Sequence, residues 1–140
     1  MQSRIVSPEI LASLEEKIRY RFRDPARLVK ALTHRSFANE YADRKGIRIE
    51  NNEVLEFLGD AVLNFAVTAL LVEAFPGKSE GELSRFRASL VNEDFLREAA
   101  SRIDLHRFVL LGKGERQSGG SEKGSILSAA MEALMGAIFL

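Results

Sequence analysis

Residues 51–63 read NNEVLEFLGDAVL and set three carboxylates, Glu53, Glu56 and Asp60, at i, i+3 and i+7 inside a run that is otherwise almost wholly apolar. On a helix advancing about 100° per residue, the three fall within about 60° of one another, and Asn64 continues the stripe one turn on. Like charges so close raise each other's pKa unless a cation joins them, and hard oxygen donors suit Mg²⁺ or Mn²⁺ rather than zinc. The flanking Val54, Leu55, Phe57, Leu58, Val62 and Leu63 imply burial on most other sides, where uncompensated charge is costly. The ordinary reading of such a stripe is a solvated helix face. Two details oppose it. No Lys or Arg occurs from Asn51 to Glu73, and Gly59 stands in mid-helix, where it costs roughly 1 kcal/mol against Ala unless something approaches the backbone closely.

The chain has 140 residues, 46% of them hydrophobic, which predicts one globular domain over 1–140 with a single core. Twenty basic and twenty acidic residues leave no net charge, so any nucleic-acid contact must come from local patches. The absence of Cys excludes disulfides and thiolate sites and is compatible with a reducing cytosol. MQSRIVSPEI lacks the apolar centre of a signal peptide, and no unbroken apolar run approaches the ~20 residues of a membrane span. A soluble, cytoplasmic protein without membrane contact is expected. The last residues, Gly136 to Leu140, are still apolar and helical in pattern, which reads as a domain excised from a longer protein.

Helix signals dominate, and no stretch alternates with period 2 over a strand's length, so the fold class is all-α. Ser7 and Pro8 open a helix with apolar Ile10, Leu11, Leu14 and Ile18; Asp24 and Pro25 open a second, through Leu32. A polar segment, 39–49, leads into the acid-striped helix, which ends near Phe75, Pro76 and Gly77. Ser79 and Glu82 form a capping box for a helix to about Val91, and Asn92 caps another to about Ile103. The glycine-rich stretch 111–124 reads as a mobile loop, a bare linker or the polar rim of a ligand groove. The final helix, SILSAAMEALMGAIFL, holds one ionisable residue, Glu132, whose partner is either the acidic stripe's cation or an Arg such as Arg85 or Arg87. Glu80 is explained by capping and the helix dipole.

NNEVLEFLGDAVL resembles the signature of the ribonuclease III family, and similar segments follow the family's order in ALTHRSFANE (31–40), EGELSRFRASLV (80–91), GKGERQSGG (112–120) and SILSAAMEALMGAIFL (125–140). The resemblance covers nearly the whole chain. It implies the family's helical endonuclease fold and Mg²⁺-dependent hydrolysis of double-stranded RNA, as in rRNA and mRNA precursor processing, leaving 5′-phosphate and 3′-hydroxyl ends. It further implies metal ligands at Glu56, Asp60 and Glu132, with Glu53 and Glu80 as further acids of the catalytic centre. A homodimer is implied as well, with Phe57 plugging into the partner subunit.

One position departs from the pattern. The family's fourth core acid, an Asp three residues before Glu132, is Ala129 here. Residues 129 and 132 share a helix face, so the change removes a carboxylate aimed at the same site and is expected to impair catalysis. Candidate RNA contacts are Arg85, Arg87, Lys113, Arg116 and Lys123, while His34 reads as a packing residue. The double-stranded-RNA-binding domain that usually follows in the family is not in this chain, so affinity is expected to be weak and salt-dependent. Two other readings stand beside the nuclease: a catalytically silent dimeric module that binds duplex RNA, and a helical metal-dependent nucleotide hydrolase.

Overall fold

The computed structural model describes residues 2–140. The elements are α1 (Pro8–Ile18), α2 (Pro25–Leu32), α3 (Arg35–Lys45), α4 (Glu53–Ala74), α5 (Glu80–Leu90), α6 (Glu93–Arg102), α7 (Lys113–Gln117) and α8 (Gly124–Phe139), with single 3-10 turns between some of them. No strand occurs among the described residues; an isolated parallel bridge joins Thr33 to Leu110.

The caps expected from the sequence are made. Ser7 Oγ accepts from Ile10 N, Asp24 Oδ1 from Ala26 N and Asn92 Oδ1 from Phe95 N. The α5 box is reciprocal: Glu82 N donates to Ser79 Oγ at 3.2 Å, and Ser79 N donates to Glu82 Oε2 at 2.9 Å. In α1 the buried stripe is Leu11 and Leu14, with Ile18 half-buried; Ile10, one residue off that stripe, is exposed.

Three expectations are corrected. Much of the polar segment 39–49 is helical: α3 runs to Lys45, where Gly46 takes the left-handed conformation (φ 67°) and ends it. α3 buries only Ala38, so it carries almost no apolar periodicity to betray it. The glycine-rich stretch 111–124 is folded as α7 and a 3-10 turn and is tied down, with Gly112 N donating to Ser36 Oγ and Lys113 N to Glu40 Oε2. The third correction concerns α4. Only Leu55, Gly59 and Leu71 are buried along its 22 residues, while Val54, Phe57, Phe65, Leu70 and Val72 face outward, Phe57 being 82% exposed. By length and composition α4 is also apolar enough to cross a membrane. The sequence concealed this because Glu56, Asp60, Asn64 and Thr68 interrupt its apolar residues every four positions.

α8 forms the centre of the core. Ile126, Leu127, Ala130, Ala133, Leu134 and Ala137 are buried, packed with Leu14, Leu28, Leu32, Leu105 and Val109 of the surrounding elements. Its long contact with α4 is unusually close. A Cβ on Gly59 would collide with the carbonyl of Glu132, and one on Gly136 with the carbonyl of Leu55. Two glycines, one per helix, therefore let the backbones touch, which is the close approach that Gly59 foretold.

Candidate active site

That crossing positions the acids. Gly59 lies against the backbone of Glu132, so the Glu132 side chain emerges beside Asp60, the next residue of α4, and near Glu56 one turn earlier. The electrostatics show the proximity. Burial, then the charges of Asp60 and Glu56, push the Glu132 carboxyl up to about 7. Glu56 is likewise raised by burial and by Glu53 and Asp60. Among the described residues none of Glu56, Asp60 and Glu132 is in an ion pair; of the two arginines considered as partners for Glu132, Arg85 is exposed and Arg87 is engaged elsewhere, its Nη1 donating to Thr68 Oγ1 at 3.0 Å.

The donor set is three carboxylates, two of which, Glu56 and Glu132, are raised by burial and by the negative charge of their neighbours, and such hard oxygen donors fit a hard divalent ion and not a soft one. As the side chains stand, no three acids or histidines among the described residues converge tightly enough to close on an ion. Asp60 is oriented by Asn64, whose Nδ2 donates to the Asp60 carbonyl at 2.9 Å and to Oδ1 at 3.4 Å.

A cavity of about 500 Å³ opens beside this cluster, lined among others by His34, Arg35, Glu53, Glu56, Glu115, Lys123 and Ala129. Glu56 belongs to both the cavity and the cluster. Glu53 lies 3.9 Å from Arg35 Nη1. Ala129, half-buried one turn before Glu132, lines this cavity. Glu80 lies apart, accepting from Ser84 Oγ and lining a separate groove of about 320 Å³ with Thr68, Leu71 and Arg87.

Of the five basic candidates, Lys123 alone lines the cavity, with Nζ 2.8 Å from Glu115 Oε1. Arg116 Nη2 donates to the carbonyl of Val109 and so ties α7 to the core. The backbone of Lys113 caps onto Glu40, Arg87 is half-buried, and Arg85 is exposed. The sequence reading missed Arg35, Ser36, Asn39 and Glu115 as cavity residues. THRSFANE and GKGERQ contained them, but only the pairing of residues 32–36 with 110–112 brings these segments together.

Residues 24–140 match the model of the Ribonuclease-III-like family. The chain is similar to Ribonuclease 3 of Bdellovibrio bacteriovorus, with 48% identity over 128 residues covering 91% of this chain and 53% of the relative. It is 52% identical to Ribonuclease 3 of Desulfotalea psychrophila over 128 residues, 91% of this chain and 52% of that one. It thus spans about half the length of the curated relatives it matches. The nuclease domain of ribonuclease III from Campylobacter jejuni has the same fold, with TM-score 0.80 and 44% identity over 91% of this chain and 80% of that one. A second structure of that domain, concerned with flexibility in the region involved in its dimer formation, gives TM-score 0.82 and covers 83% of that chain.

Proposed function

The chain belongs to the ribonuclease-III-like family and carries its nuclease domain, and from that premise we propose that it is an endoribonuclease domain for double-stranded RNA, acting as a homodimer in the cytoplasm with Mg²⁺ or Mn²⁺. Processing of rRNA and mRNA precursors is the corresponding task. The observation that carries the reading is the glycine-to-glycine crossing of α4 and α8, which sets Glu132 beside Asp60 and Glu56.

In the reaction, water oxygen bonds to the phosphorus, the bond from phosphorus to O3′ breaks, and a proton ends on O3′. A 5′-phosphate and a 3′-hydroxyl result. The divalent cation, when bound, supplies a more acidic water and stabilises charge on the leaving oxygen. Glu56, Asp60 and Glu132 are the residues whose carboxylate oxygens would hold it. Asn64 Nδ2 contacts the Asp60 carboxylate, and the partial burial that raises Glu132 lessens the screening of charge at the site. Lys123 and Arg35 place positive charge at the cavity for the RNA backbone. The exposed apolar side of α4, including Val54, Phe57, Phe65 and Val72, supplies the subunit contact.

Ala129 favours a second reading, a dimeric module that binds duplex RNA without cutting it, since the cavity wall lacks one carboxylate. The test is cleavage of a long RNA duplex in Mg²⁺ by this chain and by Ala129→Asp, with gel-shift binding in Ca²⁺ alongside. A gain on restoring Asp of about 10²-fold or more, the usual worth of one transition-state contact, supports a nuclease disabled at one ligand. Equal cutting overturns the four-acid account, and binding without cutting by either form supports the silent module.

A further inference from the structure

The cavity carries one group that the chemistry above leaves idle, the imidazole of His34. Its backbone is held: His34 N donates to the Leu110 carbonyl at 3.0 Å, and the neighbouring Thr33 carbonyl accepts from Asn52 N at 2.9 Å. Two donors converge on Nδ1. Ser36 N lies 3.2 Å away, making His34 the N-cap of α3, and Ser36 Oγ lies 2.7 Å away. The backbone N–H of Ser36 can only donate, which makes Nδ1 the acceptor, so the Ser36 hydroxyl, which accepts from Gly112 N at 2.9 Å, directs its own proton at Nδ1. Nδ1 is therefore an acceptor, and a neutral ring must carry its proton on Nε2.

Burial lowers the pKa of the ring and keeps it neutral near pH 7; the charges acting on it are Glu115 of α7, Arg35 of α3, Glu53 of α4 and Lys123 just before α8. Among the described residues Nε2 has no protein partner, yet no buried side-chain nitrogen or oxygen lacks one. Nε2 is thus accessible, a neutral donor on a residue that lines the cavity.

We infer that His34 is a substrate-binding residue whose Nε2–H donates to a ribose 2′-hydroxyl of the bound strand, so that it selects RNA over DNA. The cavity's chemistry picks this acceptor. Phosphate oxygens pair best with charged donors, which Arg35 and Lys123 supply at this cavity, and a neutral ring beside Glu53, Glu56 and Glu115 is the poorer phosphate partner. A hydroxyl accepts from a neutral N–H and can at the same time donate a hydrogen bond to one of those carboxylates. The 2′-hydroxyl is also the group by which a protein tells the two nucleic acids apart. The inference rests on the duplex-RNA reading above and deepens it.

Two substitutions divide the ring's two tasks. His34→Asn keeps an acceptor near the position of Nδ1, and Asn is a good N-cap, but it lacks the far donor; His34→Gln keeps a donor near Nε2 and loses the cap. The probes are a short RNA duplex and the same duplex with 2′-fluoro sugars, which keep A-form geometry without the hydroxyl. Affinity is read by fluorescence anisotropy in Ca²⁺, together with thermal unfolding. We expect the wild-type preference for the hydroxyl duplex to fall about 3- to 10-fold in H34N, the worth of one hydrogen bond, with an unfolding temperature close to wild type. H34Q should retain most of the preference and unfold a few degrees lower. Unchanged preference in H34N would make His34 a cap only. An equal loss of affinity for both duplexes in H34N would move its contact to phosphate and overturn the hydroxyl assignment. If the wild type binds neither duplex, the duplex-RNA reading fails and the inference falls with it.

Discussion

α4 and α8 are both strongly apolar helices, and the fold treats them in opposite ways. α8 is wrapped by α2, α4 and α6 and buries small residues, Ala130, Ala133, Gly136 and Ala137, together with Leu134. α4 is longer and shows solvent its larger side chains, including Phe57 and Phe65 at 82% and 77% exposure. The lesson is that apolarity states what a surface avoids, whereas residue size states how closely another backbone can come. Small residues on both helices allow the crossing of α4 and α8, and large ones on the outer side of α4 form an open apolar surface.

Breaking the crossing should have the largest effect. Gly59→Val drives two methyl groups into the Glu132 carbonyl, with backbone on both sides and nowhere to yield; we expect a loss of about 4 kcal/mol or more in urea denaturation. Leu134→Ala, in the fully packed helix, should cost about 3 kcal/mol in the same assay.

The outer side of α4 should behave differently. Phe57→Asp is expected to leave the monomer's stability within about 0.5 kcal/mol while weakening self-association about 100-fold, as for an anchor residue at an interface, read by sedimentation equilibrium. A monomeric wild type, or unaltered association in the variant, would remove Phe57 from the proposed contact.

The smallest effect lies where the two helices meet. The Glu132 carboxyl, ordinarily near 4.5, titrates at about 7 in the fold, so between these values the folded state binds the proton more tightly than the unfolded chain. The stability this adds is complete below 4.5 and is lost as pH rises through 7. Without divalent ions, Glu132→Gln should match the wild type near pH 4 and show a flatter decline, unfolding a few degrees higher at pH 8. Mg²⁺ should narrow that gap by stabilising the wild type more. A wild-type profile no steeper than that of the Gln variant would place Glu132 away from the other acids.

The residues themselves determined much of this. Caps at Ser7, Asp24, Ser79 and Asn92 announced their helices because each cap is a local contact between residues two or three apart. LEFLGD and its companion segments identified the family, and Gly59 announced a close contact, since a glycine in mid-helix is otherwise costly. α3 stayed hidden because it buries one alanine and its cap is a histidine, outside the usual set.

Only the tertiary structure decided the rest. Which backbone meets Gly59, that His34 and Glu115 share a cavity, that Glu80 lies apart from the acid cluster, and that the apolar flank of α4 is open all depend on pairings between residues tens of positions apart. Periodicity reports that a helix has an apolar side; what covers that side is set by the packing of other elements, and a single helix's spacing carries no record of it.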